Sequence, residues 1–257
     1  GLLHDIPHTA FSHVIDVVFK HEEHNWHEEN MERIIRQSEI PQILEKNNLS
    51  VTQILEKTNF SLLEQPLPNL CADRVDYCLR DLIALQGKTA DVKMYLDNLR
   101  VADGLMICAD AVTAKALAAD FLQLNQALWA SPLGIALYHL LSDCIRRALD
   151  LKKLTLNDLY TDDETVMNIL TGIDDPVIQK KLRLIHDGFD IIPTDDRPEY
   201  ILATKIRYLD PHWVDETGKL RRASEAYPEL RREIDETVER EKTGRPVRLA
   251  AKRKASG

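Results

Sequence analysis

The first sixteen residues of the chain, GLLHDIPHTAFSHVID, hold more imidazole and carboxylate side chains than a helical segment needs for packing. A buried imidazole or carboxylate must find a partner or a metal ion to offset the loss of its hydration. This density of polar side chains therefore predicts that they have a chemical role. The side chains concerned are His4, Asp5, His8, His13 and Asp16.

The spacing of the first three of these residues suggests a metal centre. If residues 2–8 are helical, His4 and His8 share one face, and Asp5 follows His4 directly. An adjacent His and Asp can bind one ion through a nitrogen and an oxygen, and such mixed ligands suit Fe, Mn, Zn or Ni. A lone His-Asp pair is more often a polar helix start, so the inference depends on the wider pattern.

Two later stretches, WHEEN and CADRVDYCLRD, extend the pattern that begins with HDIPHTAFSHVID. Together the three motifs resemble the HD-domain phosphohydrolase superfamily, and within it the branch of the deoxynucleoside triphosphate triphosphohydrolases. The motifs occur in the family order, and the similarity covers about residues 1–90. The resemblance implies a mainly helical fold and a divalent metal ion, with Mn, Fe, Ni, Zn and Mg all left open.

The resemblance also assigns metal ligands to particular residues. His4 and Asp5 correspond to the doublet that names the superfamily, and Asp73 corresponds to the last ligand, from a distant helix. The family places another His ligand on a preceding helix that this chain does not contain. Because Gly1 also lies in what looks like the middle of an apolar stretch, we expect the chain to be a fragment that is nearly inactive as given.

Four further residues match side chains that surround the scissile phosphate in the family. They are His8, Asp16 and His27, with His27 as the general acid and Asp16 as the residue that orients it, and His13 as another imidazole near the phosphates. Pro7 replaces the usual Gly of the family pattern. Since Pro fixes φ and removes an N–H, the turn after the doublet is expected to differ slightly.

The third motif supplies the residues expected to bind the substrate. By resemblance, Arg74 contacts a phosphate, while Tyr77 and Asp81 face the sugar in the nucleotide-hydrolysing members. An aromatic ring under C2′ would crowd a ribose hydroxyl, and a carboxylate can hold the 3′-OH. The resemblance therefore implies hydrolysis of a phosphoester in a deoxynucleotide, with another nucleotide or phosphorylated small molecule as the wider class.

Phosphoester hydrolysis independently requires these residue types. The reaction needs charge neutralisation on the phosphoryl group, an activated water and a proton for the leaving oxygen. A metal ion supplies the first two, and His can donate the proton near neutral pH. The alternative is a degenerate HD module that binds a nucleotide or a partner without turnover, and the retention of the motif residues favours the enzyme.

Composition bounds the remaining possibilities. The chain of 257 residues carries a formal net charge of -9, which argues against nucleic-acid binding except through the basic tail. Its four cysteines show no zinc spacing and no disulfide framework. No apolar run is long enough for a membrane span. We expect a cytoplasmic or nuclear protein without a membrane partner, and leave open whether it forms a homo-oligomer.

The elements that must position the motifs are predicted to be helices. Apolar periodicity favours helices over 74–86, 108–129 and 133–151, short helices between 29 and 59, and two more between 155 and 185. The stretch YILATKIRYLD has the composition of a short strand. The predicted fold class is all-α, with a short β or irregular C-terminal segment.

Three domain ranges follow from these patterns. Residues 1–187 are expected to form the HD phosphohydrolase domain without its first helices, and 188–217 a short mixed segment of strand and loop. Residues 218–257 are expected to form a charged helix and a basic disordered tail. The tail, 242–257, has six basic residues and no acidic one, so we expect it to contribute nothing to the fold.

Overall fold

The computed structural model describes residues 1–20 and 26–252, apart from the side chain of Lys57. In chain order, its helices are α1 (Val14–Phe19), α2 (Trp26–Arg36), α3 (Ile40–Lys46), α4 (Val51–Leu55), α5 (Ala72–Gln86), α6 (Thr89–Asn98), α7 (Ala111–Leu124), α8 (Pro132–Asp150), α9 (Leu156–Leu159), α10 (Asp163–Thr171), α11 (Pro176–Asp187), α12 (Ala223–Ala226) and α13 (Pro228–Thr243). Its strands are β1 (Leu99–Ala102), β2 (Leu105–Cys108), β3 (Phe189–Pro193), β4 (Tyr200–Leu202), β5 (His212–Val214), β6 (Leu220–Arg222) and β7 (Arg245–Ala251). A 3₁₀ turn spans Lys57–Phe60, and a π-helical turn spans Asn125–Trp129.

The chain folds into two compact units. Unit 1 comprises Gly1, Asn48–Ser131 and Ile206–Lys242. Unit 2 comprises Leu2–Asn47, Pro132–Lys205 and the described part of Thr243–Gly257. Each unit is therefore assembled from separated stretches of sequence, while the domain ranges drawn from the sequence stay predictions.

The predicted fold class, mainly helical with a short β segment toward the C-terminus, is confirmed for the described residues. The predicted helices over 74–86 and 133–151 are present as α5 and α8. Between 155 and 185 the structure has three helices where the sequence predicted two, because a capped single turn, α9, precedes the others. Residues 2–7 form turns and residue 8 is irregular, so the helical geometry considered for residues 2–8 is wrong.

Short polar side chains fix where several helices begin. The carboxylate of Asp110 accepts the backbone N–H of Thr113 at 2.7 Å, and Asp162 caps α10 in the same way through Thr165. Each cap satisfies a backbone donor that has no partner within its own helix. Asp175 caps α11 and also accepts from the guanidinium of Arg147 at 2.8 Å, which ties the start of α11 to α8.

Unit 1 is built around α5 and α7. Leu82, Leu117 and Phe121 are fully buried between these helices. A four-stranded sheet, in the order β1-β2-β5-β6, belongs to the same unit, and β2 runs parallel to β5 where Cys108 pairs with Trp213. All four cysteines of the chain are free and buried.

Unit 2 holds α1 against the long helix α8. Val14 and Val18 of α1 pack in one buried cluster with Ile145 of α8. Arg146 secures the end of α1, since its guanidinium donates to the carbonyl oxygens of Val17 and Val18, both at 3.1 Å. Because α1 contains the last three residues of the first motif, Val14–Asp16, this anchoring also positions Asp16.

The prediction of a disordered tail is wrong for Arg245–Ala251. These residues form β7, the middle strand of a sheet in the order β3-β7-β4. Val247 is 2% exposed and packs in a buried cluster with residues of α8 and α11. Within the strand Val247 is buried while its neighbour Arg248 is exposed, because successive side chains of a strand point to opposite faces. Residues 253–257 of the predicted tail lie outside the described residues.

Within 1–20 and 26–252, no single helix is long and apolar enough to cross a membrane. One pair of successive stretches, Ala111–Trp129 and Pro132–Asp150, is long and apolar enough for a span only if the two are counted together. The first of these stretches is α7 with its π-helical turn, and the second is α8.

Candidate active site

The first motif lies in a chain of turns that leads into α1, and unit 2 holds this segment at two points. The backbone N–H of Ala10 donates to the carbonyl of Leu159 at 2.7 Å. The next residue, Phe11, donates its N–H to the carboxylate of Asp163, also at 2.7 Å. Phe11 and Ser12 both adopt left-handed backbone conformations, with φ of 59° and 47°. These contacts fix the turn that brings the motif's imidazoles together.

The predicted doublet is joined by His8 in a compact group. Nε2 of His4 lies 3.3 Å from Oδ2 of Asp5, and Nε2 of His8 lies 3.5 Å from Oδ1 of Asp5. The hydrogen bond with His8 lowers the pKa of Asp5, and nearby imidazoles add to this effect while partial burial opposes it. Asp5 is thus an anionic carboxylate with an imidazole beside each of its oxygens.

Asp16 connects the first motif to the second. Its side chain is 1% exposed, and its Oδ2 lies 2.9 Å from Nδ1 of His13. Its Oδ1 accepts the backbone N–H of Trp26 at 3.1 Å. The predicted orienting carboxylate therefore contacts His13 directly, and it affects His27 through the backbone of the preceding residue.

Three predicted imidazoles form one cluster in unit 2. The rings of His8 and His27 stack with their centroids 4.1 Å apart. His13 lies edge-on to both rings, at 5.0 Å from His8 and 5.6 Å from His27. One side-chain nitrogen from each residue lies within 4.8 Å of the other two. The structure therefore brings together His8, His13 and His27, which come from two of the three sequence motifs.

His27 has an unusual environment within this cluster. Burial, together with the neighbouring His8 and His13, lowers the pKa of His27 to about 4. Its Nδ1 atom is buried and has no hydrogen-bond partner among the described residues. In the free protein this imidazole is therefore neutral at pH 7, so a role as general acid requires a bound anion to raise its pKa.

The third motif lies in unit 1, on the first three turns of α5. Asp73 is the second residue of that helix, where the helix dipole favours a carboxylate. Arg74 donates to the carbonyl oxygens of Gln65 and Asn69, at 2.5 and 3.2 Å, and its Nη2 lies 3.9 Å from Glu64. The predicted phosphate contact of Arg74 stays a prediction, and the structure shows that this side chain also holds the preceding loop.

Tyr77 and Asp81 meet a residue that the sequence analysis missed. The indole N–H of Trp129 donates to Oδ2 of Asp81 at 2.8 Å, and the Trp129 ring packs edge-on against Tyr77 with centroids 4.9 Å apart. Phe121 completes this aromatic group. Burial raises the pKa of Tyr77, so its hydroxyl stays protonated. No sequence signal marks Trp129, because its position depends on the π-helical turn that ends with it.

Comparisons with known proteins identify the family of this chain. The HD domain family matches residues 1–81. The uncharacterized protein YdhJ of Bacillus subtilis is 33% identical over 237 residues, which cover 88% of this chain and 73% of the relative. This chain belongs to the HD-domain family. The metal-dependent phosphohydrolase cns2 of Cordyceps militaris is 32% identical to this HD-domain chain over 222 residues, or 82% of the chain and 63% of the fungal protein.

The HD-domain match contains every residue that the sequence analysis assigned to the site. The segment matched, 1–81, runs from the turns before α1 to the middle of α5. Trp129 lies outside it. The family match therefore covers Asp81 but not its partner Trp129.

Proposed function

We propose that this HD-domain chain is a metal-dependent phosphohydrolase that cleaves a phosphoester of a nucleotide, with deoxynucleoside triphosphates as the leading substrates. Family membership and the similarity to a protein named as a metal-dependent phosphohydrolase support hydrolase chemistry. The observation that carries the proposal is the cluster of three imidazoles beside the His4-Asp5 doublet in unit 2.

The donor groups of the doublet fit a divalent metal ion. Asp5 is anionic, and imidazoles lie 3.3 and 3.5 Å from its two oxygens, so nitrogen and oxygen donors are already gathered. We propose His4 and Asp5 as ligands, with Asp73 as a third on the strength of the resemblance. A divalent ion bound there supplies charge neutralisation and a water of lowered pKa. Mixed imidazole and carboxylate donors suit Mn, Fe, Ni or Zn, and the identity stays open.

The chain's own proton chemistry centres on His13 and His27. Because Asp16 accepts from Nδ1 of His13, a proton exchanged with substrate moves at Nε2 of that ring. His27 is neutral in the free protein, and the negative charge of a bound phosphate would raise its pKa toward the range useful for a general acid. We therefore propose that His27 donates the proton to the leaving oxygen only in the substrate complex.

The substrate preference rests on Tyr77 and Asp81. We propose that the Tyr77 ring packs under C2′ of a deoxyribose, while Asp81 accepts a hydrogen bond from the 3′-OH. Trp129 supports this assignment because it fixes both side chains, through a hydrogen bond to one and an edge-on ring contact to the other. Arg74 is proposed as a phosphate contact.

Hydrolysis assays with the purified protein test the function. Deoxynucleoside triphosphates, ribonucleoside triphosphates and a simple phosphomonoester are each incubated with Mn²⁺, Fe²⁺, Ni²⁺, Zn²⁺ or Mg²⁺, and the released phosphate species is identified by ³¹P NMR. We expect turnover of deoxynucleotides that is lost in Asp5→Asn and kept in His186→Gln, since His186 is 88% exposed. Nucleotide binding without hydrolysis under all these conditions would support the alternative, a degenerate HD module.

A further inference from the structure

A groove in unit 2 runs between helix α11 and the end of strand β7. One wall extends along α11 from Pro176 to Asp187, and the other includes Leu249 and Lys252. Its volume is about 1180 Å³, which is large enough for a small-molecule ligand. None of the residues that line this α11–β7 groove takes part in the proposed hydrolysis, so the groove is a candidate for a separate binding site.

The apolar part of the α11–β7 groove is aliphatic. Val177, Leu184 and Leu249 line it, together with Pro176 and Ala251. Leu184 is 9% exposed and belongs to a buried cluster, whereas Val177 is 45% exposed. The described residues that line the groove include no aromatic, histidine or amide side chain, so it lacks the groups that stack on a nucleobase or read its edge. This lining favours an aliphatic ligand.

Basic residues outnumber acidic ones in the same lining. The basic residues are Lys180, Lys181, Arg183 and Lys252, and the acidic ones are Asp187 and Glu199. Among the described residues, only Lys181 of the basic four has a carboxylate within ion-pair distance, that of Asp143 at 2.8 Å. The sequence after Lys252, RKASG, adds two basic residues and no acidic one. The groove therefore has an excess of positive charge, which an anionic ligand would neutralise.

The wall formed by α11 is held in place without a ligand. The ammonium of Lys181 donates to Asp143 at 2.8 Å and to the hydroxyl oxygen of Tyr200 at 2.6 Å, and the Tyr200 hydroxyl donates to Asp143 at 2.7 Å. Arg146 donates to the other oxygen of Asp143 at 2.9 Å. This network ties α11 to α8 and β4. Because the wall is ordered beforehand, a ligand loses less affinity to the ordering of the protein.

The two ends of the α11–β7 groove differ in character. The side chain of Lys252 lies beside Gly188, directly after α11, where a Cβ added to the glycine would be 3.6 Å from the ammonium nitrogen. Arg183 is about one helical turn before this end of α11, and Val177 is near the other end. At 1.5 Å per residue, Val177 and Gly188 are about 16 Å apart along the helix axis. A basic end and an apolar end are thus separated by about the length of a medium-chain fatty acid.

We infer that the α11–β7 groove binds a free aliphatic carboxylate with a chain of about ten carbons. The carboxylate group lies beside Arg183 and Lys252, where charge-assisted hydrogen bonds hold it. The chain runs along Leu184 and Leu249 toward Val177, and each methylene that it buries fully increases the affinity about fourfold. A concave groove suits one molecule from solution rather than the flat surface of a bilayer. This inference does not depend on the proposed function, because binding is measured without turnover.

Calorimetric titration of the full chain tests the inference. Octanoate, decanoate and dodecanoate are titrated separately, below the concentrations at which they form micelles. We expect one equivalent to bind, with an affinity that rises about two- to fourfold for each added methylene. Decyltrimethylammonium, which has the same chain with a positive head group, should not bind. Neither inorganic phosphate nor a deoxynucleoside triphosphate should displace decanoate, because neither has an aliphatic chain.

Two variants test the two ends of the groove separately. Arg183→Gln removes a charge from the basic end and should weaken binding about tenfold at every chain length. Its control is Arg232→Gln, at an exposed position on α13 in unit 1. Val177→Glu places a carboxylate at the apolar end, so octanoate should bind almost as well as to the wild type, while the gain for dodecanoate should be lost. Its control is Val112→Glu, since Val112 is 69% exposed and is likewise the second residue of its helix, α7.

Three results would overturn the inference. Equal binding to the wild type, Arg183→Gln and Val177→Glu would show that the carboxylates adsorb elsewhere on the surface, as a detergent does. Displacement of decanoate by phosphate or by the triphosphate would show a phosphate site without a preference for an aliphatic chain. No binding of dodecanoate at its highest monomeric concentration would show that the groove does not take this ligand. Thermal unfolding confirms that each variant is folded, and none of these results affects the proposed hydrolysis, which is measured separately.

Discussion

The indole N–H of Trp129 donates a 2.8 Å hydrogen bond to the carboxylate of Asp81, and the same indole packs edge-on against Tyr77. Tyr77 and Asp81 are one helical turn apart on α5, so they share a face. Trp129 ends the π-helical turn after α7, and insertions of this kind often occur at functional sites. A residue distant in sequence thus fixes both side chains that are proposed to select the sugar.

The Trp129→Phe variant removes the N–H donor and keeps an aromatic ring. Asp81 loses a partner, so its carboxylate should be less well placed for a 3′-OH. We expect KM for a deoxynucleoside triphosphate to rise about tenfold, or about 1.4 kcal/mol, with a smaller change in kcat. The preference for deoxy- over ribonucleotides should fall. A purely structural role of Trp129 would instead lower the melting temperature and leave KM and the preference unchanged.

Removal of the proposed carboxylate ligand should abolish metal-dependent activity. Asp5→Asn keeps the size of the side chain but loses the negative charge of the carboxylate, whose two oxygens face His4 and His8. We expect metal affinity to fall at least tenfold and hydrolysis to fall at least a hundredfold. The exposed Asp76→Asn on α5, whose carboxylate pairs with Arg80, serves as the matched control. Unchanged metal content in Asp5→Asn would contradict the ligand assignment.

The contact between Asp16 and His13 should affect kcat more than KM. Asp16→Asn replaces a carboxylate that is 1% exposed and bonded to Nδ1 of His13, so the ring loses the partner that sets its tautomer. We expect kcat to fall by about 10²-fold, at the lower end of the range for general acid and base catalysis. The pH profile of kcat should also shift. Equal pH profiles for variant and wild type would show that Asp16 has only a structural role.

The resemblance predicted which residues of unit 2 lie close together, but the local sequence pattern did not predict the backbone that carries them. The resemblance to the HD-domain family grouped His4, Asp5, His8, His13 and His27 in one site, and these residues do lie together in unit 2. The helix considered for residues 2–8 is instead a series of turns, and contacts from α9 and α10 hold the backbone that follows, at Ala10 and Phe11. Such contacts between stretches far apart in the chain leave no trace in local periodicity.

Tertiary contacts also explain the two elements that the sequence misjudged. Trp129 gave no signal because its role depends on a π-helical turn, which no apolar spacing encodes. β7 appeared disordered because its charge pattern resembles a solvated tail. Pairing with β3 and β4 supplies the backbone hydrogen bonds that its own sequence cannot provide. Composition alone therefore did not predict that this segment forms a strand.

Strand β7 should contribute to stability, in contrast to what the basic composition suggested. Val247→Ala removes two methyl groups from a residue that is 2% exposed, and the expected loss is about 2 kcal/mol of the free energy of unfolding. Val101→Ala is the control, because this strand valine is 60% exposed and should change stability by less than about 0.5 kcal/mol. Chemical denaturation measures both. Equal, small effects would mean that β7 does not pack in solution.

The stability of unit 2 should decrease as the pH falls below the ordinary pKa of histidine, because of His139 on α8. Burial lowers the pKa of His139, although Asp143 and the backbone of Ile201 partly oppose this effect, and the ring stacks on Tyr200 at 5.0 Å. The unfolded chain then takes up a proton at a higher pH than the folded chain does. Protonation therefore stabilises the unfolded chain relative to the folded chain increasingly below about pH 6.5. The free energy of unfolding falls over that pH range. Denaturation of metal-free protein between pH 8 and pH 5 should show a smaller loss of stability in His139→Gln than in the wild type. The exposed His186→Gln variant should follow the wild type, and a His139→Gln profile parallel to both would contradict the argument.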